Sequence, residues 1–138
     1  MARYRSLRRM TLRDMAARMT EVGRPMGHAT LNEIENGARR VDVDDLTALA
    51  GALNVSPASL LMPYSTDPHD ETVVLTGAPL PASSPFAGGL WEWLTAEAPL
   101  GADPTADRDE FEIERWRRDA APAWTWRTLR REDTDDDA

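Results

Sequence analysis

Two stretches in the first half of the chain repeat apolar residues at intervals of three and four positions. The repeats are Leu12, Met15, Ala16 and Met19, followed by Leu46, Leu49, Ala50 and Leu53. Because an α-helix turns about once every 3.6 residues, this spacing places each set of four on one helix face. Such faces need a shared apolar centre to cover them. The sequence therefore predicts a helical fold for this half of the chain, and strands find no support here.

Capping residues set the limits of the predicted helices. Thr11 and Asp14 form a capping-box pattern with Asp in place of Glu. Asn36-Gly37 is a common helix end, Asp42 is a favoured N-cap residue, and Ser56-Pro57 starts a short last helix. The five predicted helices cover approximately residues 4–9, 11–19, 28–36, 43–53 and 57–62.

Charge is distributed unevenly along the chain. The 138 residues have a net charge of −8, which divides into +2 for residues 1–62 and −10 for the remainder. The absence of Cys excludes a disulfide scaffold and a thiolate zinc site, and two His argue against a His-based metal centre. No apolar run approaches the roughly 20 residues of a membrane span, and no signal peptide opens the sequence. We expect a cytoplasmic protein that is not an enzyme and holds neither a metal nor a cofactor.

Proline and tryptophan mark the organisation of the chain. Five of the ten prolines lie between Pro63 and Pro85, and all five tryptophans lie between Trp91 and Trp126. The predicted parts are a helical domain, a Pro-rich connector, a Trp-rich unit and a disordered acidic tail, at residues 1–62, 63–85, 86–131 and 132–138.

The second half of the chain is predicted to be mostly helical. Apolar spacing indicates helices at about 86–94 and 107–119, and the segment after Pro122 may continue as a helix to residue 131. One β-rich run at 71–76 indicates a possible strand inside the connector. The fold class is thus mainly α, with a five-helix domain followed by a small, mostly helical unit.

The helices at 11–19 and 28–36, with a loop between them, have the layout of a helix-turn-helix. In that motif the second helix enters the DNA major groove, which is about 12 Å wide and admits one α-helix with its side chains. The sequence therefore indicates a DNA-binding function for the first half of the chain.

Residues 11–16, 31–37 and 43–56 resemble the lambda-repressor-like (XRE/Cro) DNA-binding domain, and the run from Ile34 to Pro57 is the most specific part of that likeness. The resemblance covers about residues 4–62. It implies a five-helix domain that binds operator DNA, usually as a dimer. It also implies a recognition helix starting near His28. The likeness departs at Leu12, where the family often has Gln, and in a long turn at residues 20–27.

By the family pattern, His28, Ala29 and Asn32 occupy positions that approach bases. Asn32 can bond an adenine edge, and His28 can donate to guanine or phosphate. The alternative is that both lie on a solvated helix face, with Thr30 as the true N-cap of a shorter helix. Glu33 can accept from cytosine N4, but near phosphates it repels, so we expect a structural or specificity-filtering role.

Several arginines are candidates for phosphate contacts. Arg39 and Arg40 follow the helix end at Gly37, and a guanidinium matches phosphate oxygens well. Lesser candidates are Arg3, Arg5, Arg13 and Arg24.

Glu35 is expected to be structural. In the family the matching acid pairs with an arginine of the first helices. The resemblance implies such a partner here, with the choice open between Arg8, Arg9 and Arg13.

The Trp-rich unit has three open interpretations, which are a small mixed core, a homodimer interface and an effector pocket. The residues concerned are Trp91, Leu94, Trp116, Trp124 and Trp126. The function predicted for the whole chain is that of a sequence-specific transcriptional regulator binding operator DNA as a homodimer, with a small-molecule or protein effector possible at this unit. The alternative is a protein–protein module, such as an antitoxin or co-regulator that binds a basic partner.

Overall fold

A computed structural model of the protein describes residues 1–73, 86–103 and 106–129. The chain divides into two compact units, unit 1 (Met1–Leu61) and unit 2 (Met62–Ala138). Unit 1 contains α1 (Ala2–Leu7), α2 (Leu12–Glu21), α3 (His28–Glu35), α4 (Val43–Leu53) and α5 (Pro57–Leu61). Unit 2 contains α6 (Ala87–Leu94), α7 (Glu110–Ala120) and a short 3-10 turn at Ala123–Thr125. The predicted mainly α fold is confirmed.

The helix ends of unit 1 follow their local sequence. The Thr11 hydroxyl accepts from the backbone N–H of Asp14 at 3.1 Å, and the Asp14 carboxylate accepts from the Thr11 N–H at 2.7 Å, which completes the predicted capping box. Asp42 caps α4 by accepting from the Asp45 N–H at 2.7 Å. Gly37 has a φ of +70°, a left-handed conformation that glycine adopts without strain.

The core of unit 1 forms where α2 packs against both α3 and α4. Its centre is apolar and includes the fully buried side chains of Met15, Met19, Leu31 and Leu53. Burial of each such side chain contributes about 1.5–3 kcal/mol to folding. This packing holds α3 by Leu31 and leaves its opposite face in solvent.

Unit 2 has a different interior. Its buried apolar residues include Ala87, Leu90 and Ala98, and they are accompanied by two buried charged residues, Glu114 and Arg117. Arg117 donates to Glu97 Oε2 at 2.9 Å and to the Thr125 carbonyl at 3.1 Å, so that α7 is joined to the segments on either side of it.

Two expectations for the second half are wrong in the described residues. The possible strand at 71–76 begins instead as a turn, in which the Asp70 carboxylate accepts from the N–H and hydroxyl of Thr72 at 2.8 and 2.6 Å. Such local side-chain hydrogen bonds compete with strand pairing. Residues 74–76 lie outside the described part. The predicted helix after Pro122 is only a 3-10 turn, followed by extended backbone at Trp126.

Three further comparisons complete the account of the elements. α2 is two residues longer than predicted, which shortens the loop before α3 to residues 22–27. The acidic tail at 132–138 lies outside the described residues. Among the helices of 1–73, 86–103 and 106–129, none is long and apolar enough to cross a lipid bilayer.

Candidate nucleic-acid interface

α3 presents one continuous polar face to solvent. The helix begins at His28, with Gly27 as its N-cap, and the Leu31 N–H donates to the Gly27 carbonyl at 3.1 Å. Thr30 is therefore inside the first turn and half-buried, so the alternative that it caps a shorter helix is wrong. The exposed residues on and just after α3 are His28, Ala29, Asn32, Glu33 and Asn36. The structure thus brings together four of the five residues predicted on this helix and turns Thr30 away from them.

An ion pair ties α3 to α1. Glu35 accepts two hydrogen bonds from the guanidinium of Arg5, at 2.8 Å to Oε1 and 2.9 Å to Oε2, and Arg5 also donates to the Met10 carbonyl at 2.7 Å. The side chains of Arg5 and Glu35 are 19% and 8% exposed. The hydrogen bonds from Glu35 raise the pKa of Arg5 above its ordinary value. This bidentate contact fixes the angle of α3 against the first helix.

The arginine in this pair differs from the three expected partners. Arg8 donates instead to the Asn54 carbonyl at 3.1 Å, which ties the end of α1 to the end of α4. Arg9 follows the end of α1 with a φ of +53°, and Arg13 lies on the exposed face of α2. Because α1 lies against α3 through its own last turn, Arg5 reaches Glu35 and the prediction of Arg8, Arg9 or Arg13 is wrong.

Arg24 is held by carboxylates of α4. Its guanidinium lies 2.8 Å from Asp45 and 3.3 Å from Asp42, and Asp45 is buried. The hydrogen bond and charge of Asp45 raise the pKa of Arg24. Arg24 therefore braces the loop before α3 against the start of α4. Its DNA contact stays a prediction, and any phosphate there competes with two carboxylates.

The other arginine candidates remain open to a ligand. Arg39 and Arg40 lie exposed between α3 and α4, and Arg13 is exposed on α2. None of these three forms an ion pair with any residue that the structure describes. Uncompensated guanidinium groups on the helix-turn-helix domain are suited to phosphate oxygens.

Sequence reasoning missed the structural role of Arg5 and the burial of Asp45. The Asp45 role had a usable signal, because an acid three residues after the Asp42 cap lies in the first turn of its helix. Arg5 had no such signal, since its partner is 30 positions away.

The residues predicted for dimerisation or a pocket are only partly covered. Trp124 is 86% exposed, Trp126 is 43% exposed and Trp91 is 40% exposed, while Leu94 and Trp116 are half-buried. Unit 2 also has an open cleft of about 410 Å³, but charged side chains line it and none of these five residues does. Among the described residues, no group of His, Asp and Glu is arranged to hold a metal ion.

Comparison with known proteins identifies the domain. The family model described as Helix-turn-helix matches residues 1–60, which is less than half of the chain. No curated protein and no solved structure matches the chain. The matched residues coincide with the five helices of unit 1 and end one residue before α5 does. Residues 1–60 therefore form a DNA-binding helix-turn-helix domain of the lambda-repressor-like (XRE/Cro) family.

Proposed function

We propose that the protein is a sequence-specific transcriptional regulator that binds operator DNA as a homodimer, with α3 in the major groove. The observation that carries this proposal is the exposed face of α3, on which His28, Ala29 and Asn32 lie side by side in solvent. Packing of Leu31 and the Arg5–Glu35 pair holds that face in a fixed direction. A rigid helix with a free polar face is what reading of base edges requires.

Asn32 is the residue we assign to direct base recognition. It lies one turn after His28 on the same side of α3, and an asparagine amide can both donate to adenine N6/N7 and accept from them in a bidentate pair. Arg39 and Arg40 supply phosphate contacts at the end of the recognition helix. Phosphate contacts position the domain, while base contacts select the sequence.

The overall charge of −8 does not oppose this function. The excess of negative charge belongs to residues 63–138, and residues 1–62 have a net charge of +2. Charges separated by more than about 8 Å are largely screened at physiological salt. Local positive charge on the DNA-binding domain therefore decides the interaction.

The exposed tryptophans support a homodimer formed through unit 2. Trp124 leaves nearly all of its side chain in water, and large aromatic side chains are enriched in protein interfaces. A second copy that covers Trp91, Trp124 and Trp126 removes this surface from water. Dimerisation also sets two recognition helices at the half-site spacing of about 34–36 Å.

The experiment that tests this function is selection of duplex DNA from a random pool by the purified full-length protein at about 150 mM salt. We expect a two-half-site sequence to be enriched. Replacement of Arg39 by Ala is expected to reduce the slope of log affinity against log salt by about 0.9, the value for one phosphate contact.

The matched control is Arg115→Ala, which removes an exposed arginine from α7 of unit 2 and leaves the DNA-binding domain unchanged. We expect the control to keep the wild-type salt slope. Failure to enrich any sequence, together with a flat salt dependence, would contradict the regulator and favour the protein–protein module.

A further inference from the structure

α3 carries two carboxylates in opposite situations. Glu35 is half-buried and both of its oxygens are bound by Arg5. Glu33 is exposed, and its carboxylate has no hydrogen bond or ion pair with the residues that the structure describes. An unpaired carboxylate on a surface that approaches DNA phosphates weakens binding by repulsion. Its presence there needs an interaction with DNA that selects for it.

Glu33 belongs to the face that meets the bases. At about 100° per residue, the five exposed positions cover roughly 140° of the helix circumference. His28 and Glu33 lie at the two edges of this arc, and Asn32 lies between them. Ala29 is one turn before Glu33, and its small side chain leaves space beside the carboxylate. The Glu33 side chain is therefore free to extend toward base edges next to those that Asn32 reaches.

We propose, on the basis of the proposed function, that Glu33 determines specificity by accepting a hydrogen bond from cytosine N4 in the base pair next to the one read by Asn32. An ionised carboxylate can only accept. In the major groove, guanine and thymine present acceptors to it, whereas cytosine and adenine present amino groups. Adenine also presents the N7 acceptor beside its amino group, and N7 repels the second carboxylate oxygen. Cytosine is therefore the base that this side chain selects.

The rest of the recognition face supports discrimination rather than attraction. Glu33 is the one acidic residue among its five exposed positions, and no arginine or lysine occurs among them. Attraction to DNA then falls to Arg39 and Arg40 outside the face. The wrong base at the Glu33 position gains nothing from charge and meets acceptor–acceptor repulsion, so that it is rejected even where the phosphate contacts are kept.

The test compares full-length wild-type protein with Glu33→Gln in parallel selections from a random duplex pool. Wild-type protein is expected to prefer cytosine at one position of each half-site by about 5- to 150-fold over other bases. Glutamine pairs in bidentate fashion with adenine N6/N7, so Glu33→Gln is expected to shift that one position to adenine. All other positions are expected to keep the wild-type preference.

The control is Glu112→Gln, which removes the same charge from an exposed position of α7. It is expected to leave every base preference unchanged. Identical profiles for wild type and Glu33→Gln, or uniformly tighter binding by Glu33→Gln with no change in base preference, would overturn the assignment. Wild-type preference for adenine at that position would overturn it too. Absence of any enriched sequence with the wild-type protein would instead overturn the proposed function on which the assignment rests.

Discussion

Unit 1 closes around buried methionine and leucine side chains, whereas unit 2 encloses the charged pair Glu114 and Arg117 beside Leu90. The aromatic residues follow the reverse distribution from the one that a core would give. All five tryptophans belong to unit 2, and none of them is buried. The comparison shows that the helix-turn-helix domain covers its apolar residues by itself, while unit 2 leaves its largest apolar side chains available to a partner.

This difference also separates the two units in experiments. Tryptophan emission reports on unit 2 alone, because residues 1–62 contain no tryptophan. Helical circular dichroism reports on both units. A substitution can therefore be assigned to the unit that it affects.

Arg117→Ala is expected to have the largest effect on folding. Removal of Arg117 leaves the buried Glu114 without its neighbouring charge at 3.6 Å and frees Glu97 of one partner at 2.9 Å. Loss of one member of a buried ion pair costs about 3–5 kcal/mol. We expect the urea midpoint measured by tryptophan emission to fall strongly, while most of the helical signal from unit 1 unfolds at its former midpoint.

The control for Arg117→Ala is Arg115→Ala on the exposed side of the same helix, and it is expected to leave the tryptophan midpoint nearly unchanged. A small effect of Arg117→Ala would show that the tryptophans and Leu90 stabilise unit 2 without the buried charges. The contrast between the two interiors would then be structural but not energetic.

A chain ending at Leu61 tests whether dimerisation belongs to unit 2. It is expected to stay helical, because the core of unit 1 is complete within residues 1–61. It is expected to sediment as a monomer and to bind a two-half-site operator about 100-fold more weakly, since simultaneous contact with both half-sites is lost.

The competing location for the interface is on unit 1 itself. Val43 is 74% exposed and Leu61 is 45% exposed, and both line an apolar groove of about 480 Å³. A shortened chain that remains dimeric at micromolar concentration would place the interface at this groove. The exposed tryptophans would then need a different partner.

Arg5→Ala is expected to destabilise unit 1 by about 2 kcal/mol, because Glu35 and the Met10 carbonyl lose a charged donor in a partly buried setting. The loss is expected in the helical signal and not in tryptophan emission. Arg13→Ala is the control, since Arg13 is exposed and has no ion pair with a described residue. Equal stability of the two variants would contradict the structural role of the Arg5–Glu35 pair.

The sequence was sufficient for the elements of unit 1 because their information is local. The stripe from Leu12 to Met19 and the Thr11–Asp14 box each lie within three turns of chain. The ion pair of Glu35 could not be assigned, because four arginines precede α2 closely enough and only packing of α1 selects Arg5. In unit 2, tryptophan was weighed as core while Arg117 was not. Which face of α7 turns inward depends on its neighbours and not on its own periodicity.

The capping box of α2 is expected to produce the smallest effect, which is a change in acid stability. Hydrogen bonds from the hydroxyl and N–H of Thr11 hold the pKa of Asp14 below its ordinary value of 3.8. A lowered pKa means that the folded state prefers the ionised carboxylate. Its contribution is therefore complete above about pH 4 and is lost as the pH falls through the lower pKa of the folded state.

Asp14→Asn removes this titration while keeping the shape of the side chain. We expect the helical stability of unit 1 to fall less steeply below about pH 4 in the variant than in the wild-type protein. Thr11→Ala removes the cap from the other side and is expected to cost about 1 kcal/mol at neutral pH. The tryptophan-monitored stability of unit 2 serves as the internal reference, because the box lies in unit 1. Parallel acid profiles for wild type and Asp14→Asn would show that Thr11 caps α2 without help from the carboxylate. The N-terminus of α2 would then owe its stability to the Thr11 hydroxyl alone.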